Sequence, residues 1–464
     1  MGASTVWRKT FSILSIVVGI WMIVIWRWRQ TNYLPSATDL TVYGLGLPTT
    51  ALIGIGVLRA AFSRVPSASA SVVPEPAPVA TGAANSTEQH PAEAMTALVL
   101  DSALQLPAGR SVDDIMVSVR KGDLVGLHGS LRSIDGTHLF AAAVPTLKPQ
   151  RFVSDQVDLE EEQIRALLLA ADVVDELMPR QATQQVGADI IQAPVRAGLL
   201  NIHLLLPVRW QDQQATMTAW WEAHLAAQEW TSMIASSRVR LVVDASDALA
   251  RIDEVVVALN EARSSDRQIV IACDSWLGEL SALRLGAREA LYGRGQLNGR
   301  VLGEGACGLV LGGMWAHSSP IAVMHRPVSA QRSFSIDAAP LRRESTLKEV
   351  VERACAQRPA LEMAQCALVS NVDQRASRRT EAASVAEHWW PEGDADAHCV
   401  HLGLANGQSE AVLALSALIV ASRQAKAQQH PVIAVSTSDP VSRSAVLIEA
   451  ASEQQDADAS GQAA

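Results

Sequence analysis

The sequence predicts an α/β body behind two N-terminal hydrophobic segments. Three observations carry that prediction. Apolar strand-like runs alternate with helical patterns over most of the chain. Two uncharged apolar stretches stand near the N-terminus, and a stretch rich in Ala, Ser and Pro separates them from the rest.

The first stretch, Phe11 to Trp26, carries no charge and lies between Arg8-Lys9 and Arg27-Trp28-Arg29. Trp7, Trp21, Trp26 and Trp28 sit near its ends, where indole rings suit the headgroup layers of a bilayer. It is short beside the roughly 20 residues of a spanning helix and lengthens through Val6 and Trp7 if the flanking cations snorkel. The second stretch, Leu40 to Leu58, is bounded by Asp39 and Arg59 and contains Gly44, Gly46 and Pro48, which a membrane helix tolerates. A cleaved signal peptide is the competing reading, but Arg-Trp-Arg follows where small residues belong. A single anchor with a re-entrant second segment is the other. Residues 1–64 are therefore read as a transmembrane hairpin. Arg8, Lys9, Arg59 and Arg64 outnumber Arg27 and Arg29, which puts the body on the cytoplasmic side of a bacterial inner membrane.

Residues 65–94, with Pro74, Pro76 and Pro78 spaced by single residues, read as a semi-rigid, polyproline-like linker. The body is divided into an N-terminal α/β half, 95–238, and a C-terminal half, 239–450. The polar stretch 451–464 reads as a disordered tail. Within the body, Leu199 to Val208, Val239 to Val243, Gln268 to Ala272, Gly308 to Leu311, Ala367 to Ser370 and Pro431 to Val435 read as strands. Gln214 to Gln228, Ala248 to Ala262 and Ser409 to Ala427 read as helices. Leu241 to Val256 and Leu368 to Ala383 look like copies of one strand–turn–helix unit, each with an aspartate in its turn (Asp244 and Asp373).

The net charge of -10 argues against nucleic acid as a partner, because phosphate neutralisation needs a basic surface. Five cysteines, an odd number without a C-x-x-C pair, indicate neither a disulfide framework nor a zinc site, and free thiols fit a reducing compartment. Cys273 and Cys307 stand in apolar strand contexts and read as small buried hydrophobes. Trp220-Trp221 and Trp389-Trp390 suit core packing or interface anchors. Arg326, Arg332, Arg342 and Arg343 make either a basic patch or a solvated loop.

Gly303-Glu304-Gly305-Ala306-Cys307-Gly308 satisfies G-x-G-x-x-G. A dinucleotide-binding turn opens a helix, whereas these glycines lead into the strand-like run Leu309-Val310-Leu311-Gly312, so that reading is set aside. Val301 to Leu311 instead resembles the glycine turn and strand of β-ketoacyl synthases in the thiolase-like superfamily. Ile269 to Ser275, followed by a helix over Ala282 to Tyr292, is similar to that family's central strand and small-residue turn. His401-Leu-Gly-Leu-Ala-Asn-Gly407, with Glu410 and a long apolar helix behind it, is similar to the histidine loop. Ile433 to Ile448 then supplies the closing strand pair. The resemblance implies a thiolase-like fold of duplicated α/β layers.

It also implies a chemistry. A ketosynthase holds its acyl chain on a cysteine at a strand-to-helix turn, assisted by two histidines or a histidine and an asparagine. The turn after Val239 to Val243 reads Asp244-Ala245-Ser246-Asp247, with no cysteine, and two aspartates oppose charge development on Ser246. The turn after Ala367 to Ser370 reads Asn371-Val372-Asp373-Gln374, with no histidine. His401 alone matches, and a lone histidine more often serves a loop hydrogen bond. No G-x-S-x-G, H-E-x-x-H or Walker A motif is present. No residue is therefore assigned to catalysis, to a cofactor or to a metal.

The expectation is a pseudoenzyme: a membrane-anchored adapter that binds a protein partner. The layout resembles the type VI secretion lipase adapter family, which implies capture of a lipase effector and delivery to a secretion spike protein. Homodimerisation is another use of the thiolase-like edge. Two alternatives stay open: a membrane-bound acyltransferase or condensing enzyme using Ser246 with His401, and a membrane scaffold in envelope or lipid biogenesis.

Overall fold

The computed structural model describes residues 95–451, apart from 122–124, 148–157, 190–197, 263, 289, 294–295, 317–318, 338–344, 360, 362 and 392–397. The hairpin, the linker and the tail expected from the sequence lie outside the described residues. Among the described residues, no helix is long and apolar enough to cross a membrane.

In the first half of the body, β1 (Thr96–Gln105) is followed by α1 (Val112–Lys121), a hairpin of β2 (Leu127–Arg132) and β3 (His138–Ala142), and α2 (Glu161–Asp189). Then come β4 (Leu200–Pro207), α3 (Gln214–Ala226), β5 (Ile234–Val242), α4 (Ala245–Ala262), β6 (Arg267–Ser275), α5 (Glu279–Ala287) and β7 (Leu302–Gly312). The second half comprises β8 (Ala322–His325), β9 (Val328–Gln331), α6 (Thr346–Cys355), β10 (Ala367–Ser370), α7 (Ala376–Trp389) and β11 (Cys399–His401). It closes with α8 (Gly403–Asn406), α9 (Glu410–Gln428), β12 (Val432–Ser436) and β13 (Ser442–Ala450).

The main strand order is β11-β10-β12-β13-β8-β1-β7-β6-β4-β5. Each half thus repeats one pattern: three parallel strands, an antiparallel strand, and the half's own first strand at the inner edge. β5, β4 and β6 are parallel, with β7 antiparallel to both β6 and β1. β11, β10 and β12 are parallel, with β13 antiparallel to both β12 and β8. The halves join where Thr96 to Val99 pairs antiparallel with His325 to Ala322.

This topology relocates two expectations. A division after residue 238 would cut β5, which runs unbroken from Ile234 to Val242; the duplication instead turns over between β7 and β8. The proposed internal repeat pairs β5–α4 with β10–α7, but β5 ends its half of the sheet whereas β10 lies one strand inside. The counterpart of β5–α4 is β11 with the segment leading to α9. Similar local turn chemistry, an aspartate after a short buried strand, produced the false match.

Each sheet half is covered on both faces, which is why its parallel strands read as continuous apolar runs. β6 shows how one strand serves two layers. Val270 and Ala272 join the cluster around α4 and α9, whereas Ile269, Ile271 and Cys273 join the cluster around α2 and α3. In the second half, Val432 and Ala434 face α9 while Ile433 and Val435 face α6 and α7. α4 buries Ala245, Ala248, Leu249, Ile252, Val255, Val256 and Leu259, the stripe of a one-sided helix. α9 is buried almost all round from Ala411 to Ser422, as a helix shared by both halves requires. Cys273 and Cys307 are buried, Trp221 is fully buried and Trp390 nearly so.

The glycine-rich motif is strand, not turn: Leu302 to Gly312 is buried at every position. Its glycines permit close approach of neighbours. A β-carbon on Gly303 would lie 2.5 Å from the Asn406 carbonyl oxygen and 2.8 Å from the Gln408 nitrogen, and one on Gly308 would lie 2.7 Å from Val173 and Leu177 of α2. Glu304, between them, is completely buried. It accepts 2.7 Å hydrogen bonds from Arg165 Nε and Nη2, 2.8 Å from the Val144 amide, and 3.2 Å from Ser275 Oγ.

Candidate functional site

The carboxyl ends of β4, β5 and β6 come together with the first turns of α4 and α9, the position at which open α/β sheets place their ligands. A cleft of about 180 Å³ opens there, lined by Arg209, Asp244, Asp274, Trp276, Arg300 and Glu410 among polar residues, with Val242, Val243, Pro207 and Ala411 as its apolar wall. Among the described residues, no cysteine, serine, threonine, lysine or histidine lines it.

Each of its two arginines is paired with a carboxylate. Arg209 forms a short contact with Asp274, donates to the Ser275 carbonyl at 2.8 Å, and stacks with its Cζ 3.8 Å from the Trp276 ring and 4.5 Å from Trp210. Arg300 approaches Glu410 at 3.3 Å. Burial pushes the Asp274 and Glu410 carboxyls above the usual carboxylate range, partly offset by Arg209 and Arg300 respectively. Burial raises Asp244 as well, against the hydrogen bond from the Asp247 amide. Among the described residues, no group of three His, Cys, Asp or Glu side chains is placed to hold a metal ion.

The turn expected to carry a nucleophile is a helix cap. Asp244 Oδ1 accepts the Asp247 amide at 2.8 Å, and Asp247 Oδ2 accepts the Val243 amide at 3.0 Å, the reciprocal arrangement of a capping box. Asp247 also pairs with Arg251 at 3.1 Å. Ser246 follows the cap, half-buried, and accepts a hydrogen bond from Ser444 Oγ of β13 at 3.0 Å. Ser444 Oγ in turn lies 2.8 Å from Ser329 Oγ. This is a chain of hydroxyls with no base in it.

Asn371, at the end of β10, is completely buried and its amide is spent on the protein. Nδ2 donates to Ser436 and Ser438 Oγ at 2.9 and 3.1 Å, and Oδ1 accepts the Thr437 amide at 2.8 Å. Ser436 stands opposite Ser444 in the β12–β13 register, so the turns after β5 and β10 do meet, across a serine-lined strand pair.

His401 is corrected in place. It belongs to strand β11, paired with Ser370, rather than to the loop that caps α9. Its Nδ1 lies 2.6 Å from Ser370 Oγ, while Ser246 bonds to β13, so the structure does not join Ser246 and His401 in one hydrogen bond. The residue that borders α9 is Gln408. It is buried, its Oε1 has no partner, its Nε2 reaches Glu410 at 3.4 Å, and its backbone amide donates to the Val301 carbonyl at 2.9 Å. Gly407 at φ 65° makes the turn. The position of that glycine ahead of Gln-Ser-Glu was the available sequence signal. Arg209, Asp274, Trp276 and Arg300 had none, since three segments distant in sequence supply them.

Two of the four arginines that read as a basic patch or a solvated loop are described, and both are paired. Arg326 is bidentate to Asp253 at 2.8 Å and Arg332 pairs with Glu381 at 2.7 Å; residues 342 and 343 lie outside the described residues.

The overall fold of the body is matched among solved structures. A ketosynthase bound to its acyl-carrier protein in a type II polyketide system aligns at TM-score 0.55 and 12% identity, covering 77% of this chain and 100% of that one. The ishigamide ketosynthase/chain length factor aligns at 0.52 and 13%, over 77% and 100%. An oxazolomycin ketosynthase domain from Streptomyces albus JA3453 aligns at 0.53 and 11%, over 77% and 76%. The body has the thiolase-like fold. No family model and no curated protein matches this chain in sequence. The thiolase-like likeness therefore spans both halves of the body, including the first half, where sequence resemblance was weakest.

Proposed function

We propose that this chain is a non-catalytic, membrane-anchored binding module built on the thiolase-like scaffold, an adapter that holds a protein partner. One observation carries the reading. The groups at the turns where a ketosynthase needs a nucleophile and its helpers are already committed to holding the fold. Asp244 and Asp247 cap α4, all three hydrogen bonds of the Asn371 amide go to the 436–438 segment, and Ser246 sits among serines without a base. A scaffold outlives its chemistry when its binding surfaces stay useful.

Two surfaces support partner binding. α5 exposes Leu280 and Leu283, and Ile134 of the β2–β3 turn is exposed beside it, a local apolar patch. Among the described residues, β5 ends the sheet and pairs only with β4, so its other edge offers backbone donors and acceptors to a second copy or another chain. The finer reading assigns a lipase effector as the partner and a secretion spike as the destination, on the resemblance of the layout to type VI lipase adapters. The N-terminal segments would then hold the body at the cytoplasmic face of the inner membrane.

Intact-mass measurement of the full chain after incubation with acyl-CoA and with acyl-carrier protein tests the non-catalytic part. An unchanged mass is expected; an acyl adduct that disappears in Ser246→Ala overturns it. Leu280→Glu with Leu283→Glu tests the binding part. These exposed positions should leave folding intact and abolish capture of a type VI lipase effector offered as the partner, and undiminished capture removes the patch from the reading.

A further inference from the structure

The far end of α9 carries a second cleft, of about 580 Å³. The helix has 19 residues, so at about 1.5 Å per residue the two clefts lie roughly 28 Å apart. Ser102 to Leu104 of β1 form its floor. α1, Glu176 and Arg180 of α2, and Arg423 to Gln428 of α9 form its walls.

In a chain of net charge -10, this cleft gathers Arg110, Arg120, Arg180, Arg423 and Lys426 against Asp113 and Glu176. The nearby carboxylates are oversubscribed. Glu176 is shared by Arg180 and by Arg110 at 3.7 Å, and Asp101 is shared by Arg180 at 2.9 Å and Arg423 at 3.9 Å. Among the described residues, neither Arg120 nor Lys426 has an ion-pair partner. Gln424 lines the same cleft, is more than nine-tenths buried, and has an Oε1 with no hydrogen-bond partner, while its Nε2 reaches only the Met116 sulfur at 3.7 Å. An orphaned buried acceptor costs free energy unless a ligand or water supplies a donor. Complementing the carbonyl end of α9 accounts for Lys426. It does not account for arginines on α1 and α2 facing the same space.

We propose that this cleft binds a phosphate-bearing ligand, with the cations around the phosphate oxygens and Gln424 Oε1 accepting a hydrogen bond from a ligand hydroxyl. Guanidinium groups suit phosphate because they donate paired, charge-assisted hydrogen bonds, and the volume falls in the usual range for small-molecule sites. The phosphate belongs to either a soluble ligand or an anionic lipid headgroup.

Isothermal titration of the detergent-solubilised full chain with inorganic pyrophosphate tests the soluble source. Thermal unfolding in neutral micelles doped with phosphatidylglycerol or with phosphatidylcholine tests the lipid source. Binding is expected in at least one arm, weakened at least about tenfold in Arg120→Glu/Lys426→Glu, whose side chains are exposed and whose loss leaves the fold intact. Arg238→Glu, on exposed β5 away from the cleft, is expected to change nothing. No response to pyrophosphate at about 10 mM together with no phosphatidylglycerol-specific stabilisation overturns the proposal. So does a response that survives the double charge reversal, or one that Arg238→Glu weakens equally.

Discussion

Glu304→Gln is the substitution whose cost the structure specifies best. The carboxylate is completely buried, and four donors converge on it: two from Arg165, the Val144 amide and Ser275 Oγ. The glutamine keeps the shape but leaves the Arg165 guanidinium, whose side chain is 10% exposed, without its buried counter-charge, with only the more exposed Glu161 remaining at 3.9 Å. It also turns an amide NH₂ toward Arg165, a group that can only donate. Removing one partner of a buried ion pair typically costs about 3–5 kcal/mol, far more than the pair contributes relative to an apolar replacement. We therefore expect Glu304→Gln to lower stability by about 3 kcal/mol, or roughly 6 °C in the unfolding midpoint at about 2 °C per kcal/mol for a large domain. The Arg165→Met/Glu304→Leu double variant should lose less than the sum of the two single charge deletions, by about 2 kcal/mol, because it leaves neither charge behind. Chemical denaturation of the wild type, Glu304→Gln, the single variants Arg165→Met and Glu304→Leu, and the double variant, with unchanged slopes, measures both quantities. A Glu304→Gln cost below about 1 kcal/mol, or additivity in the double variant, would refute the assignment of Glu304 as the buried pin between β7, α2 and the 144 turn.

Gly303→Ala should destabilise the body by about 2 kcal/mol or more, read by the same denaturation, because the added carbon would meet Asn406 and Gln408 backbone atoms at 2.5 and 2.8 Å. Burial pushes the thiols of Cys307 and Cys355 up to about 12 and that of Cys366 up to about 11, so at pH 8 about one Cys307 in ten thousand is thiolate. Iodoacetamide should accordingly label half-buried Cys399 first in the native protein, by peptide mass mapping, and native labelling of Cys307 at the same rate would contradict its placement. At Glu449, burial would raise the carboxyl, but hydrogen bonds from His325 and Arg358 outweigh it and hold the pKa below its ordinary value. Its contribution to stability is thus present above the unfolded pKa near 4.5 and is lost as pH falls through the folded value. The gap in unfolding midpoint between wild type and Glu449→Gln should shrink from about pH 6 to about pH 3, and a constant gap would count against the linkage.

Strand and helix identities were legible wherever the sequence had no choice. Leu199 to Val208 and Gln268 to Ala272 must be strands because short β-branched and leucine runs buried on both faces have no other stable form, and they became β4 and β6. Ser409 to Ala427 must be a helix buried all round, and it became α9. The absence of a cysteine after β5 and of a histidine after β10 was equally visible. These are properties of single segments.

The tertiary structure alone decided everything that depends on which segments meet. A strand's own residues do not say whether it lies at an edge or inside, so the sequence paired β5 with β10 and split the body through β5, while hydrogen-bonded order assigned β11 as the counterpart. Glycine spacing cannot tell a phosphate cradle from close packing; the Asn406 and Gln408 backbone atoms against Gly303 do. A histidine six residues from a glycine reads as a loop residue until register with Ser370 puts it in a strand. Both clefts, one with its two arginines paired and one left with cations in excess, are made by residues up to some 300 positions apart. Local pattern is set by burial along one segment, whereas a site is set by the packing of many, and the chain's thiolase-like body is legible in the first and chemically defined only by the second.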